Sequence, residues 1–242
     1  MNITAINENI SSGKEKSPRM FDRIHKQYDA LNRLFSFGLD VTWRYSLSRH
    51  IEKKDDQQLL DLASGTGDAA LSLLKNSPYI KYAVGCDMAG KMLEAAQNKA
   101  IKKKLAEKVS FLQGDAANIP FANNIFDVVT MVFGIRNMAD PAHVLSEILR
   151  VLKKGGKTLI LEFSLPTNPI LRNIHLFYLR HIIPWVGGAI SRDKHAYRYL
   201  DKTIETFPYG ESFCRIMERA GFRDVQFKTL TFGVVTLYQG EK

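Results

Sequence analysis

Two strand-like segments close this 242-residue chain, "DVQFKTL" and "VVTLYQG", and only Thr231, Phe232 and Gly233 separate them. So short a connection cannot return the chain to the start of a parallel neighbour, so the two must pair as an antiparallel hairpin. The chain before them reads differently. "QLLDLAS" is strand-like, "GDAALSLLKN" helical, "KYAVGCD" strand-like and "MAGKMLEAAQNKA" helical. "KVSFLQGD" and "FDVVTMVF" follow as strands. "DPAHVLSEILRVLKKGG" is expected to be a helix capped by Asp140, with Pro141 first and a stop at Gly155. Val144, Leu145, Ile148, Leu149 and Leu152 would be its apolar face. "KTLILEFS" is the next strand, and "YGESFCRIMERAGF" a last helix ending at Gly221. Apolar strands divided by helices or crossover-length connections argue for a parallel sheet covered on both faces. The expectation is an α/β domain: a mostly parallel seven-stranded sheet that ends in an antiparallel hairpin.

Two segments fall outside that alternation. "MFDRIHKQYDALNRLFSFGLDVTWR" spaces Met20, Phe21, Ile24, Tyr28, Leu31, Leu34 and Phe35 for one or two amphipathic helices before the first strand. Residues 165–207 carry three prolines and many aromatics without strand alternation, and are expected to form a helical cap. Within it Ile174, Phe177, Tyr178 and Ile182 share one helical stripe. Residues 1–17 read as a polar leader outside the fold, and 18–242 as one domain. The leader lacks the apolar core of a secretory signal, and no apolar run approaches the ~18–20 residues that span a bilayer. A cytoplasmic location is expected, at most resting on a membrane. The net charge of +9 favours anionic partners, and two cysteines are too few for a disulfide scaffold. "KAIKKKLAEK", with Lys99 to Lys104, reads as a solvated helix end.

What the glycine turn "DLASGTGD" holds is decided by its flanks. Dinucleotide sites set G-x-G-x-x-G against a pyrophosphate at a helix N-terminus. Here Gly65 and Gly67 are present, but Ala70 stands at the third position, and Asp61 and Asp68 bracket the turn. Carboxylates there repel phosphate and welcome a cation with an amino group. S-adenosylmethionine is such a ligand. Asp87, twenty residues beyond Gly67, ends the next strand, where a carboxylate takes a ribose diol. Asp115 and Ala116 end the third, where an adenine would be read. A parallel sheet with this cofactor edge and a terminal hairpin is the Rossmann-like sheet of class I S-adenosylmethionine-dependent methyltransferases.

"YDALNRLFSFGLDVTWR", "DLASGTGD", "VFGIRN", "RVLKKGGKTLILEFS", "YRYLDKTIETFP" and "LTFGVVTLYQG" together resemble the menaquinone/ubiquinone biosynthesis C-methyltransferases from Met20 onward. The resemblance implies methyl transfer from S-adenosylmethionine to a quinol ring carbon of demethylmenaquinol, or of a ubiquinone precursor. It places cofactor contacts on Thr66, Asp87, Asp115 and Ala116. A serine common before the F-G-[IL]-R-N motif is Val132 here, and "SRDKHAYRYL" departs from the family's acidic N-D-x-x-S-Y-x-Y-L. The residues themselves also favour a carbon acceptor. Enzymes that methylate exocyclic amines carry [ND]-P-P-[YF] after the fourth strand, and this chain has "FGIRN". Arg136, always charged, is the candidate to stabilise a quinolate oxygen, with Tyr28 and Asn137 positioning the acceptor. Six histidines are scattered without metal-ligand spacing, so no metal is expected. His25, His175, His181 and His195 are read as exposed or core-satisfied. The expected partners are a prenylated naphthoquinol or benzoquinol and an anionic membrane surface, without nucleic acid; the oligomeric state stays open. A basic RNA methyltransferase remains a competing class, weakened by the missing N-P-P-Y, and a non-catalytic scaffold a third, weakened by the intact cofactor edge.

Overall fold

The computed structural model describes residues 17–191 and 202–242. The polar leader up to residue 16, and residues 192–201 with His195 and most of "SRDKHAYRYL", lie outside the described residues. Two helices come first, α1 (Ser17–Phe35) and α2 (Leu39–Leu47), joined by a turn at Gly38. There follow β1 (Gln57–Leu62), α3 (Asp68–Asn76), β2 (Ile80–Asp87), α4 (Gly90–Lys102), β3 (Val109–Gln113) and β4 (Phe126–Val132). After β4 come α5 (Pro141–Val151), β5 (Leu152–Phe163), α6 (Pro169–Phe177) and α7 (Ile183–Ser191). The chain closes with α8 (Glu211–Arg219), β6 (Arg223–Leu230) and β7 (Val235–Glu241).

The seven strands form one sheet in the order β3-β2-β1-β4-β5-β7-β6. β1 to β5 pair in parallel, and β7 runs antiparallel to both β5 and β6. The hairpin expected from the three-residue connection is therefore present, and its second strand inserts between β5 and β6. Alternation sorts the side chains to two cores. Leu59, Val128, Leu159, Leu161 and Leu237 pack on one face with Leu71, Trp43 and Leu47. Leu60, Leu62, Val129, Met131, Ile160 and Tyr238 pack on the other with Ile148 and Phe213. Each fully buried leucine contributes ~1.5–3 kcal/mol, so the two cores together make the sheet a rigid platform.

One boundary differs from expectation. Asp140 does cap α5, its Oδ1 accepting from the Ala142 and His143 N–H groups, with Pro141 behind it. The helix stops at Val151, however, not at Gly155. Leu152 is fully buried and already pairs with Phe126, so strand pairing takes over from helix propensity there. The register shift between Phe126 and Val128 absorbs "KKGG", with Gly155 at φ 73.

The cap is helical as expected, and packs through Leu179 and Ile183 on Leu31 of α1 and on Ile204. Its stripe is split by a π turn at Tyr178–Ile182. Such a turn adds a residue and rotates the rest of the helix about its axis. Tyr178 therefore points inward, its hydroxyl donating to the Phe35 carbonyl at 3.0 Å, while Ile174, Phe177 and Ile182 stay exposed. His175 is half-buried, which lowers its pKa, and its Nε2 is buried with no hydrogen-bond partner among the described residues. His181 stacks on Phe177. Both cysteines are free and buried.

Candidate active site

β1 to β4 run parallel, so their C-terminal ends open on one edge, and the strand order turns about β1 and β4. Open α/β sheets bind ligands at such a switch point. Here the glycine turn leaves β1 with Gly65 at φ 54 and Gly67 at φ 77, left-handed values that glycine takes without strain. A Cβ on Gly67 would also lie 2.8 Å from the Phe111 ring. Gly134, after β4, lets the two loops meet: a Cβ there would stand 2.7 Å from that of Ala63.

Asp87 ends β2 facing this turn. Its Oδ2 accepts from the Gly65 N–H and its Oδ1 from the Ala89 N–H, each at 2.8 Å. Burial raises its pKa, those N–H groups pull it back, and Asp22 pushes it further up. Each oxygen keeps a lone pair for a diol. After β3, Asp115 folds its own loop by accepting from the Ala117 N–H at 2.9 Å, and Ala116 lies buried beside it.

These groups border a cavity of about 250 Å³ lined by Tyr28, Gly65, Asp87, Asp115, Ala116 and Asn137 among others. A smaller hollow of about 30 Å³ continues it towards Arg44, Asp61, Ser64, Thr66 and Asp68, sharing Tyr28 and Gly65. Six of the expected residues thus meet in the larger cavity and Thr66 in the smaller, while Gly67 shapes the turn without lining either. Val132 walls both with an aliphatic side chain. Burial raises the Tyr28 phenol, against an Asn32 hydrogen bond and the charges of Arg136 and Arg44, so at neutral pH it is a donor. Asn137 Oδ1 is buried and has no hydrogen-bond partner among the described residues, which leaves an acceptor for a ligand hydroxyl or amino group.

Arg136 departs from the expected placement. It sits in the 3-10 turn Ile135–Asn137, only 6% exposed, and does not line the donor cavity. Its Nη1 donates to Glu162 Oε1 and to the Phe133 carbonyl, both at 2.7 Å, and its backbone N–H donates to Glu162 Oε2. The guanidinium lies over the Phe163 ring, and its Nε is buried without a hydrogen-bond partner among the described residues; the residue borders a neighbouring hollow with Thr203, Thr206 and Phe207. A fully buried Glu162 must be paired, and Arg136 is the pairing cation. The charge nonetheless acts on Tyr28 across the turn.

Sequence reasoning missed Arg44 and Glu162. Arg44 pairs with buried Asp40 one helical turn away, a spacing that reads as a surface pair. In the hollow it complements the acids, so an amino-acid end would meet Asp61 and Asp68 with its ammonium and Arg44 with its carboxylate. Glu162 carried a signal, an acid closing the apolar strand "LILEF". Among the described residues no cluster of His, Cys, Asp or Glu has the arrangement of a metal site.

Known proteins give the same edge a family. Residues 9–242 match the model of the ubiE/COQ5 methyltransferase family. The chain is 42% identical, over 97% of both lengths, to a ubiquinone/menaquinone biosynthesis C-methyltransferase of Syntrophotalea carbinolica. It is 39% identical to a demethylmenaquinone methyltransferase of Bacteroides fragilis, covering 97% of this chain and 95% of that one. In fold it resembles an S-adenosylmethionine-dependent methyltransferase of Thermotoga maritima, with a TM-score of 0.63 at 19% identity over 93% of this chain and 99% of that one. A match along nearly the whole chain makes this protein a member of the ubiE/COQ5 methyltransferase family with S-adenosylmethionine as its methyl donor.

Proposed function

We propose that the protein methylates a ring carbon of demethylmenaquinol, giving menaquinol, with the equivalent benzoquinol step of ubiquinone synthesis as the second reading. The observation that carries the reading is the wall around the donor cavity after β4. Val132, Phe133, Gly134 and Met138 line it where an amine-methylating enzyme would present polar groups to a nitrogen. An apolar wall suits a flat aromatic acceptor. The names of the Bacteroides and Syntrophotalea relatives agree with it. When bound, S-adenosylmethionine would supply an electrophilic methyl to the ring carbon with cleavage of its carbon–sulfur bond, and the proton displaced from that carbon would pass to solvent. Attack is fast only from the quinolate, whose charge the transfer consumes, so a dry wall favours it. Tyr28 donates towards the ring oxygens, and Arg136 supplies positive potential from behind the turn.

The test is incubation with labelled S-adenosylmethionine and a reduced short-chain demethylnaphthoquinol, a benzoquinol precursor or RNA. A singly methylated naphthoquinol is expected. Label on RNA alone, or on no quinol, rejects the reading.

The same proposal sets the protein on an anionic bilayer. No helix among the described residues is long and apolar enough to cross a membrane. The cap and the α1–α2 turn nonetheless expose Phe37, Ile170, Ile174, Phe177 and Trp185, each more than half accessible. Beside them stands exposed Arg172, and the chain carries +9. Vesicle binding should rise with anionic lipid and fall with salt. Ile174→Ser with Phe177→Ser should weaken it roughly tenfold, since partial burial of two such side chains is worth ~1–2 kcal/mol. Sedimentation that is indifferent to lipid charge and to this pair of substitutions removes the membrane from the proposal.

A further inference from the structure

Helix α1 crosses the donor edge and is fastened there by polar contacts. Near its start, Asp22 Oδ1 accepts from the Lys91 N–H in the first turn of α4 at 3.0 Å. Near its middle the fastening is denser. Asp29 Oδ1 accepts from the Thr66 hydroxyl at 2.6 Å, and Asp29 Oδ2 pairs with Lys99 Nζ at 2.7 Å. Lys99 also donates to Asp68 Oδ1 at 2.6 Å and to Thr66 Oγ1 at 2.9 Å. Its ammonium thus makes two hydrogen bonds and one further ion pair, each to a different residue. Lys99 therefore departs from the solvated helix end expected of its lysine-rich neighbourhood. The Thr66 hydroxyl, on the rim of the donor hollow, is committed to Asp29.

We propose that this network is a catch: Lys99 holds α1 closed over the donor cavity, positions Tyr28 next to Asp29, and lets the donor in and the spent donor out by releasing Asp29. The bonding is unequal in a way that fits release. When Asp29 leaves, Lys99 keeps Asp68 and Thr66, so the glycine turn and α4 stay fixed and α1 is the part that moves. The Asp29 side chain is 38% exposed against 18% for Asp68. The outer contact is the one that water and salt reach. Tyr28 lines both the cavity and the hollow, so lifting α1 opens them together. A static staple would have no reason to hang on the one partner that solvent competes for.

The inference rests on S-adenosylmethionine as the donor and needs no quinol, so its failure leaves the acceptor assignment standing. The experiment is stopped-flow binding and release of S-adenosylhomocysteine by the full chain at several ionic strengths. For the unaltered protein both rates should rise with salt. In Asp29→Asn, which keeps an acceptor for Thr66, and in Lys99→Met, release should quicken roughly five- to thirtyfold, as for a partly exposed charge-assisted bond. Association should quicken as well, so that affinity falls by much less than release rises, and both rates should lose their salt dependence. Lys99→Arg should recover most of the slow exchange. Rates that ignore salt in the unaltered protein overturn the proposal even if no variant folds. So does faster release with unchanged association in both variants, which is the mark of a damaged site and not of an opened one.

Discussion

Asp61→Asn is expected to make the protein more stable above neutral pH and a poorer binder of S-adenosylmethionine. Asp61 is fully buried at the end of β1, where its Oδ1 accepts from the Thr130 hydroxyl at 2.6 Å and its Oδ2 from the Ala70 N–H at 3.3 Å. Burial pushes its carboxyl up to about 7, against Thr130, Ala70 and Arg44, while Asp87 adds to the rise. Tyr28, Thr66 and Asp68 share its hollow. Between its ordinary value of 3.8 and about 7, the folded chain holds a proton that the unfolded chain has released. The stability this carries is complete below about pH 4 and is lost as pH rises through about 7. At pH 8 the ionised group then costs on the order of 4 kcal/mol. Asparagine stays neutral and can accept from Thr130, at the cost of about 1 kcal/mol for an amide facing the Ala70 N–H. A Tm higher by roughly 4–10 °C at pH 8 should result, with a flatter pH profile. Binding should move the other way. A donor ammonium in the hollow favours the carboxylate, so wild-type affinity should climb through pH 7, and the variant should be ~10–100-fold weaker at pH 8 and insensitive to pH. Calorimetry across pH that finds equal affinities, or melting that finds no gain, removes Asp61 from this role.

How much of this was legible in the sequence depends on what each residue answers to. The inner strands were readable because most are short apolar runs between breakers, and the hairpin because a three-residue connection leaves no other pairing; the start of β5 was not, since "LKKGG" continues a helical pattern. Asp87 and Asp115 could be placed at the cavity because the parallel strands end on one edge, so position along the chain fixes position along that edge. The π turn was not readable. Nothing in "YLRHI" differs in pattern from an α-helix; what distinguishes the segment is tertiary, the packing of Leu179 and Ile183 with Leu31 of α1. Arg136 was readable as important and misread in placement, because its partner Glu162 lies on another strand, 26 residues on. Lys99 failed for the same reason: three lysines nearby are solvated, and only the tertiary approach of Asp29 and Asp68 sets this one apart.

That pairing changes what an Arg136 experiment must contain. Arg136→Gln alone should slow methyl transfer by roughly two to three orders of magnitude, as does loss of a preorganised oxyanion donor. It also strands Glu162, which is fully buried, and removing one partner of such a pair costs about 3–5 kcal/mol. A slow variant could therefore be merely a loosened one. Arg136→Gln with Glu162→Gln separates the two effects. Two amides can bond where two ions did, and the amide carbonyl introduced at position 162 can still accept the backbone N–H of position 136 that Glu162 Oε2 takes now. The double variant should regain most of the lost stability. If Arg136 contributes positive potential to the developing quinolate and to Tyr28, the double variant stays slow at neutral pH with nearly unchanged S-adenosylmethionine affinity. Its rate should then recover in part as pH rises, because hydroxide supplies the quinolate that the guanidinium no longer favours. If Arg136 only ties the turn to β5, the double variant regains its rate along with its stability. Single-turnover methylation of a reduced short-chain demethylnaphthoquinol, measured across pH beside thermal melting and cofactor titration, decides between them. A stable double variant that transfers methyl at the wild-type rate would end the electrostatic assignment and leave Arg136 as the partner of Glu162.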